Sequence, residues 1–463
     1  MPVGTAAVRP LARPARGDEV AAPPRLWVRA FRALDEAGLP YYQLRGSGPG
    51  PETSRCQEID LLVDRGDLER LAGILSRLGF VKLKTWGHGG HRFYVAYEED
   101  AGAWLKFDVV TRLRYGGPHR PLFSRALAGS LERRRRVAET FVPDAVDALL
   151  GLVLHALLDK RAFHEKHRRE LERLREEIEA APALQAAAAE RFDRALGPTL
   201  RWSEAAAAIA GRNWEQLLSR RRTIAGVLFR RAPFGSVRHW LGGQIARLAR
   251  PLLVPFGRRG FFVALLGPDG AGKSTLARAL ADDPQIRARI VYMGSNPGAG
   301  LASTRWIERW RGDRLAGHGR GGGALIRGIT YGNRLFEQAW RSLVAVAWGL
   351  RGRLVVFDRH PHEALIADPA HGRGAQLRRR LLRGFCARPD LILLLDAPPE
   401  QLRSRKSEHT LERLARQRDR YRSLSLAFRG LVVIDASVPQ EESVRRVTSA
   451  VWSGYRRRLE GTS

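Results

Sequence analysis

The chain has 463 residues, 44% hydrophobic, 27% charged and 8% aromatic, a balance that excludes collagen-like and disordered classes and leaves room for about three domains. Lys and Arg exceed Asp and Glu by 31, so the chain attracts polyanions, whether nucleic acid, anionic membrane or nucleotide phosphates, without choosing among them. Two distant cysteines, Cys56 and Cys386, exclude a disulfide framework and point to a reducing, cytoplasmic setting.

Residues 1–24 carry Arg9, Arg13 and Arg16 among Ala and Pro without the apolar run of a secretory signal, and read as a disordered basic tail. Leu26, Trp27, Ala30, Phe31 and Leu34 then recur at helical spacing up to Gly38. Strands are expected at 41–44, 58–63, 92–97 and 103–109, with an amphipathic helix through Leu68, Leu71, Ile74, Leu75 and Leu78 between the second and third. Together they define an α+β domain over 25–125.

The stretch 126–257 reads as a helical middle region and linker, with Pro182 and Pro198 as interruptions. Its apolar run 148–158 is broken by His155 and is much shorter than the ~20 residues a membrane-spanning helix needs, so no transmembrane segment is expected. His155, His164 and His167 admit a metal site or an ordinary helix face, and the many arginines around them favour the second. A third domain, 258–463, shows short apolar strands at 261–266, 354–357, 391–395 and 431–434 separated by helical segments, the pattern of a parallel sheet. Within it, 317–323 is glycine-rich and reads as a loop.

The strongest motif opens this third domain. Gly267-Pro-Asp269-Gly270-Ala271-Gly272-Lys273-Ser274-Thr275 is a complete G-x-x-x-x-G-K-S placed between a buried strand and a helix. Glycines let successive backbone N–H groups turn inward onto phosphate oxygens, and the helix start adds its positive end. Lys273 would bridge the terminal phosphates and Ser274 would ligate Mg²⁺. Phe357-Asp358-Arg359-His360 lies just beyond another strand, on the sheet edge where such folds bind ligands; Asp358 suits Mg²⁺ and Arg359 suits a phosphate clamp.

These two segments together resemble the thymidylate kinase-like branch of P-loop nucleoside monophosphate kinases over 258–463. The resemblance implies a doubly wound P-loop fold, ATP as donor, Mg²⁺ as cofactor, and a facing role for Asp269 toward the acceptor. It also implies an arginine-bearing lid, matched by Leu402-Arg403-Ser404-Arg405-Lys406, of which Arg405 and Lys406 are the candidates. Asp396 is open between a second Mg²⁺-side acid and a helix N-cap. After Arg359 the chain continues Pro361-His362-Glu363, unlike thymidylate kinases, so thymidylate is not the expected acceptor.

Near the N-terminus, Leu44-Arg45-Gly46-Ser47 followed by Glu58-Ile59-Asp60-Leu61 resembles the polymerase-β-like nucleotidyltransferase signature. Strand alternation puts Glu58 and Asp60 on one face, and Asp108 on a later strand is the third acid of a conceivable two-metal site. Glu58 stands where that family carries Asp.

The expected fold class is therefore multidomain α/β: a nucleotidyltransferase-like α+β domain, a helical middle, and a C-terminal P-loop domain with a parallel sheet. The expected function is ATP- and Mg²⁺-dependent phosphotransfer to a small-molecule acceptor, possible classes being nucleotides, sugars and lipid precursors. One alternative makes Glu58, Asp60 and Asp108 a nucleotidyltransferase site supplied by the P-loop domain. Another is a nucleic-acid-binding ATPase. The arginine runs 133–136, 220–222 and 378–380 lack interleaved aromatics and read as solvated helix faces, so no specific nucleic acid is expected.

Overall fold

The structure is a computed structural model that describes residues 25–44, 56–83, 90–116, 122–123, 127–257, 260–294, 323–360, 384, 386–427 and 431–460. The tail at 1–24, Arg45, Gly46 and Ser47, the glycine-rich stretch up to 322, Pro361, His362 and Glu363, and the run 378–380 lie outside the described residues.

A five-stranded mixed sheet comes first, built from β1 (Tyr41–Gln43), β2 (Cys56–Val63), β3 (Val81–Leu83), β4 (Arg92–Glu98) and β5 (Ala103–Val110) in the order β1-β2-β5-β4-β3. Only β2 and β5 run parallel. Helices α1 (Arg25–Glu36) and α2 (Leu68–Arg77) cover one face, because Trp27, Phe31, Leu71 and Leu75 meet Ile59, Leu61, Leu105 and Phe107 there. Period-two alternation therefore turns Glu58, Asp60, Lys106 and Asp108 to the opposite face.

Two small hairpins follow, β6 (Arg114–Tyr115) with β7 (Leu122–Phe123) and β8 (Arg135–Val137) with β9 (Thr140–Val142). The run 133–136 is thus not a helix face. Arg133 is paired with the buried Asp147, and Arg135 with Glu177. Helices α3 (Ala145–Leu154), α4 (Glu165–Glu179), α5 (Pro182–Leu196), α6 (Trp202–Ala210), α7 (Trp214–Ser219) and α8 (Arg221–Arg231) share one core that includes Leu149, Leu171, Phe192, Ile209 and Leu228. Pro182 begins α5 rather than interrupting it, since a first-turn proline forgoes only an N–H that has no helical partner. The stretch read as a linker contains a 25-residue helix, α9 (Pro233–Gly257).

The last sheet is fully parallel: β10 (Phe261–Leu266), β11 (Arg289–Tyr292), β12 (Leu354–Asp358), β13 (Leu391–Asp396) and β14 (Leu431–Asp435), ordered β11-β12-β10-β13-β14. Its helices are α10 (Lys273–Asp282), α11 (Gly323–Leu350), α12 (Pro399–Arg405), α13 (Leu411–Ala427) and α14 (Gln440–Glu460). Leu265, Val356 and Leu393 pack with Leu276 and Val447 on one face, while Ala264, Phe357 and Leu394 pack with Ala345 and Tyr421 on the other. Double coverage explains the unbroken apolar runs, and each fully buried Val, Leu or Phe among these side chains contributes about 1.5–3 kcal/mol.

The two sheets meet through a definite contact. Trp104 at the start of β5 is buried, donates from Nε1 to Asp283 Oδ2 at 2.9 Å, and meets Trp452 of α14 edge-on at 5.1 Å. Asp283 immediately follows the helix that leaves the glycine-rich loop.

Candidate active site

Strand β10 ends at Leu266 and α10 starts at Lys273, so the six residues between them turn the chain back over the C-terminal edge of the sheet. Gly267 and Gly270 have φ of 147° and 87°, and a Cβ would lie 2.6 Å from Leu395 O or from Leu402 O respectively. Both positions demand glycine on steric grounds, independently of any ligand. Gly272 caps α10 in the left-handed region, and Ala271 is buried beneath the loop.

Register then brings the second motif alongside. Asp358 pairs with Leu265 across the β10–β12 ladder, at the strand end nearest the loop. Ser274 Oγ donates to Asp358 Oδ2 at 2.7 Å. Asp358 is only 7% exposed, and its Oδ1 is buried without a hydrogen-bond partner among the described residues. A buried carboxylate oxygen left without a donor, next to a serine hydroxyl, is an oxygen pair that suits a hard divalent cation such as Mg²⁺. Thr275 is exposed in the first turn of α10.

Lys273 is 6% exposed, and its ammonium donates to Gly267 O at 2.6 Å and Pro268 O at 2.9 Å, which fixes it within the loop. Asp269 is the hub of the charged groups. Arg359 Nη2 donates to its Oδ1 at 2.6 Å, Lys273 Nζ lies 3.9 Å away, and His409 Nε2 lies 3.5 Å from Oδ2. Burial raises the Asp269 carboxyl, but Arg359, Lys273 and Lys406 together outweigh it and hold the group below the usual carboxylate range. Arg359 takes φ of 66°, a left-handed conformation costing an L-residue about 1–2 kcal/mol, directly after Asp358.

Arg405 and Lys406, the residues expected to form a lid, are less closely gathered. Arg405 donates to Ala436 O at 3.0 Å, and Lys406 Nζ lies 3.1 Å from Glu408. Asp396 caps no helix, since Pro398 is the N-cap of α12. Its carboxylate receives Arg418 and Arg422, at 2.6 Å each, and these hydrogen bonds outweigh burial to hold it low. His409, Arg418 and Arg422 were not foreseen from sequence. Arg418 and Arg422 stand four apart on α13, so their shared helix face was readable, but not their partner.

At the N-terminal sheet, Asp60 pairs with Asp108 and Glu58 with Lys106 across β2 and β5. Oxygens of Glu58, Asp60 and Asp108 lie within 4.8 Å of one another. Lys106 Nζ sits 2.8 Å from Glu58, and His91 Nδ1 contacts both Asp108 oxygens at 2.9 and 3.0 Å. Two of the three acids thus already face a basic side chain, a poor fit for two divalent ions. The adjoining pocket is lined also by Arg112 and Arg114. His155 is engaged with Asp159 at 2.7 Å, and no metal-ligating cluster includes His155, His164 or His167 among the described residues.

No protein-family model matches the chain. A thymidylate kinase of Xanthomonas euvesicatoria pv. vesicatoria (strain 85-10) is 30% identical over 211 residues, covering 44% of this chain and 88% of that protein. The phosphonates import ATP-binding protein PhnC of Rhodopseudomonas palustris (strain BisB5) is 32% identical over 170 residues, covering 34% of this chain and 61% of its own length. Among solved structures, thymidylate kinase from Candida albicans aligns with a TM-score of 0.32 and 14% identity, over 43% of this chain and 93% of that one.

Proposed function

The chain belongs to the thymidylate kinase family through its P-loop region, and on that premise we propose that it transfers the terminal phosphoryl group of ATP to a small-molecule nucleotide. The observation that carries this reading is the Ser274–Asp358 pair, with its unpartnered buried oxygen, set beside a loop in which Gly267 and Gly270 leave no room for a Cβ. Loop N–H groups and the Lys273 ammonium hold the donor phosphates, and Gly267, Gly270, Ala271, Gly272 and Thr275 shape and extend that cradle. Ser274 and Asp358 would hold Mg²⁺, which when bound offsets charge on the phosphate oxygens.

Arg359 supplies the cation that stabilises charge gathering on the transferred group, and Asp269 fixes where its guanidinium points. Lys406, whose charge already acts on Asp269, is the lid group best placed to join it, while Arg405 does so only on leaving Ala436 O. Because the sequence after Arg359 departs from thymidylate kinases at Pro361, His362 and Glu363, the acceptor is a nucleotide other than thymidylate. The domain limits that go with this reading are 25–125, 126–257 and 258–463.

A second reading, nucleotidyl transfer at Glu58, Asp60 and Asp108, is favoured by the convergence of these acids and opposed by Lys106 and His91. One incubation separates the two. With ATP, Mg²⁺ and a pool of nucleoside monophosphates, sugars and lipid precursors, phosphoryl transfer yields ADP and one phosphorylated nucleotide, with thymidylate among the poorest acceptors. Release of free pyrophosphate with the nucleotidyl group bonded to the acceptor, or ATP hydrolysis without any phosphorylated product, overturns the proposal.

A further inference from the structure

Among the side chains described along helix α9, Ser236 is the buried one, whereas Phe234, Val237, Leu241, Ile245 and Leu248 are exposed, Phe234 by 89% and Leu248 by 81%. These five recur at intervals of three or four residues and so form one stripe along the helix. Helix α11, which touches α9, repeats the pattern. Glu337, Gln338 and Ser342 face the protein, and Ile329, Phe336, Trp340, Leu343 and Leu350 face away from it. Exposed apolar stripes of this extent mark an interaction surface.

Charge identifies the occupant. Between Glu215 and Asp269 there is no acidic residue, while ten arginines fall in that interval, five before α9, three within it and two directly after it. A helix with Phe, Val, Leu and Ile on one side and only cationic charge around it in the sequence has the composition of an amphipathic helix that lies in a lipid interface. No helix among the described residues is long and apolar enough to cross a membrane, which leaves the interfacial mode.

We propose that α9 docks the protein onto an anionic phospholipid surface, its stripe Phe234, Val237, Leu241, Ile245 and Leu248 entering the boundary between headgroups and acyl chains while the flanking arginines engage the lipid phosphates. A folded protein face, by contrast, would have to match ten arginines with its own acids, and a second copy of this chain carries the same excess of 31 positive charges. Apolar insertion and charge act together, so neither alone gives full binding.

The test is flotation of the full chain with vesicles of phosphatidylcholine, or of phosphatidylcholine with about one third phosphatidylglycerol. Wild type is expected to float with the anionic vesicles and at least about tenfold less with the neutral ones. The double variant Leu241→Glu/Ile245→Glu is expected to lose about tenfold or more on anionic vesicles. Its thermal melting should be unchanged, since both side chains are exposed in the folded chain. Lys273→Ala should float like wild type, which keeps the result separate from the kinase reading. Three results overturn the proposal: no flotation of wild type, equal flotation of wild type and double variant, or light scattering that shows a stable dimer broken by the double variant. In the last case the stripe is covered by a second copy.

Discussion

Asp269 sits among Arg359, Lys273 and His409, and although burial raises its carboxyl, the charges of Arg359, Lys273 and Lys406 outweigh that and hold it below the usual range. A folded-state value below the unfolded one, about 3.9, means that the carboxylate stabilises the fold fully above that pH and loses its contribution as pH falls through the folded value. Asp269→Asn is therefore expected to lower the denaturant midpoint by a constant amount across the neutral range, with the gap to wild type closing below about pH 4. Urea titrations of both proteins at several pH values check this. A gap that widens on acidification contradicts the assigned sign. The same variant removes the carboxylate that receives Arg359 Nη2, so phosphoryl transfer should fall by about tenfold or more, equivalent to roughly 1.4 kcal/mol of transition-state stabilisation.

At the scale of elements, the loop from Gly267 to Gly272 does its work by backbone shape. Gly270 combines φ of 87° with an approach to Leu402 O that a Cβ would close to 2.6 Å. Gly270→Ala is expected to weaken nucleotide binding by about 1–2 kcal/mol, roughly tenfold, through left-handed strain and this collision. Calorimetric titration with a non-hydrolysable ATP analogue measures it, and an unchanged affinity would show that the loop relaxes freely. This element was legible in the sequence because its glycines, its lysine and the apolar run before it are contiguous. Strands β10, β12 and β13 were legible for the same reason, each being an unbroken apolar run buried on both faces. Other features were not. Asp396 meets Arg418 and Arg422 across 22 and 26 residues of intervening chain, a distance at which spacing carries no information. Helix α9 read as a linker because Pro251 and Pro255 lie within it.

Across the whole molecule, the junction of the two sheets was also invisible from sequence, since Trp104 and Trp452 belong to different patterns and neither is marked as interfacial. Trp104 links β5, which carries Asp108 four residues on, to Asp283 at the end of the helix that starts with Lys273. Trp104→Ala removes a buried ring, its contact with Trp452 and the bond to Asp283, and is expected to cost about 3–5 kcal/mol. The loss should appear as an earlier, separate unfolding step, because the cores beneath the two sheets remain intact. Differential scanning calorimetry distinguishes that outcome from a single transition at unchanged temperature, which would show that the junction contributes little.

The proposed reaction belongs to the P-loop site and not to the acids of the first sheet. Lys273→Ala and Asp60→Ala, assayed side by side for transfer of labelled phosphate from ATP to the nucleotide acceptor, test that assignment most directly. Loss of the Lys273 ammonium removes a fixed cation from the donor phosphates and is expected to reduce transfer by at least about a hundredfold, while Asp60→Ala keeps transfer within about twofold of wild type. Near-normal transfer by Lys273→Ala together with its loss in Asp60→Ala would contradict the account and move the chemistry to the N-terminal sheet.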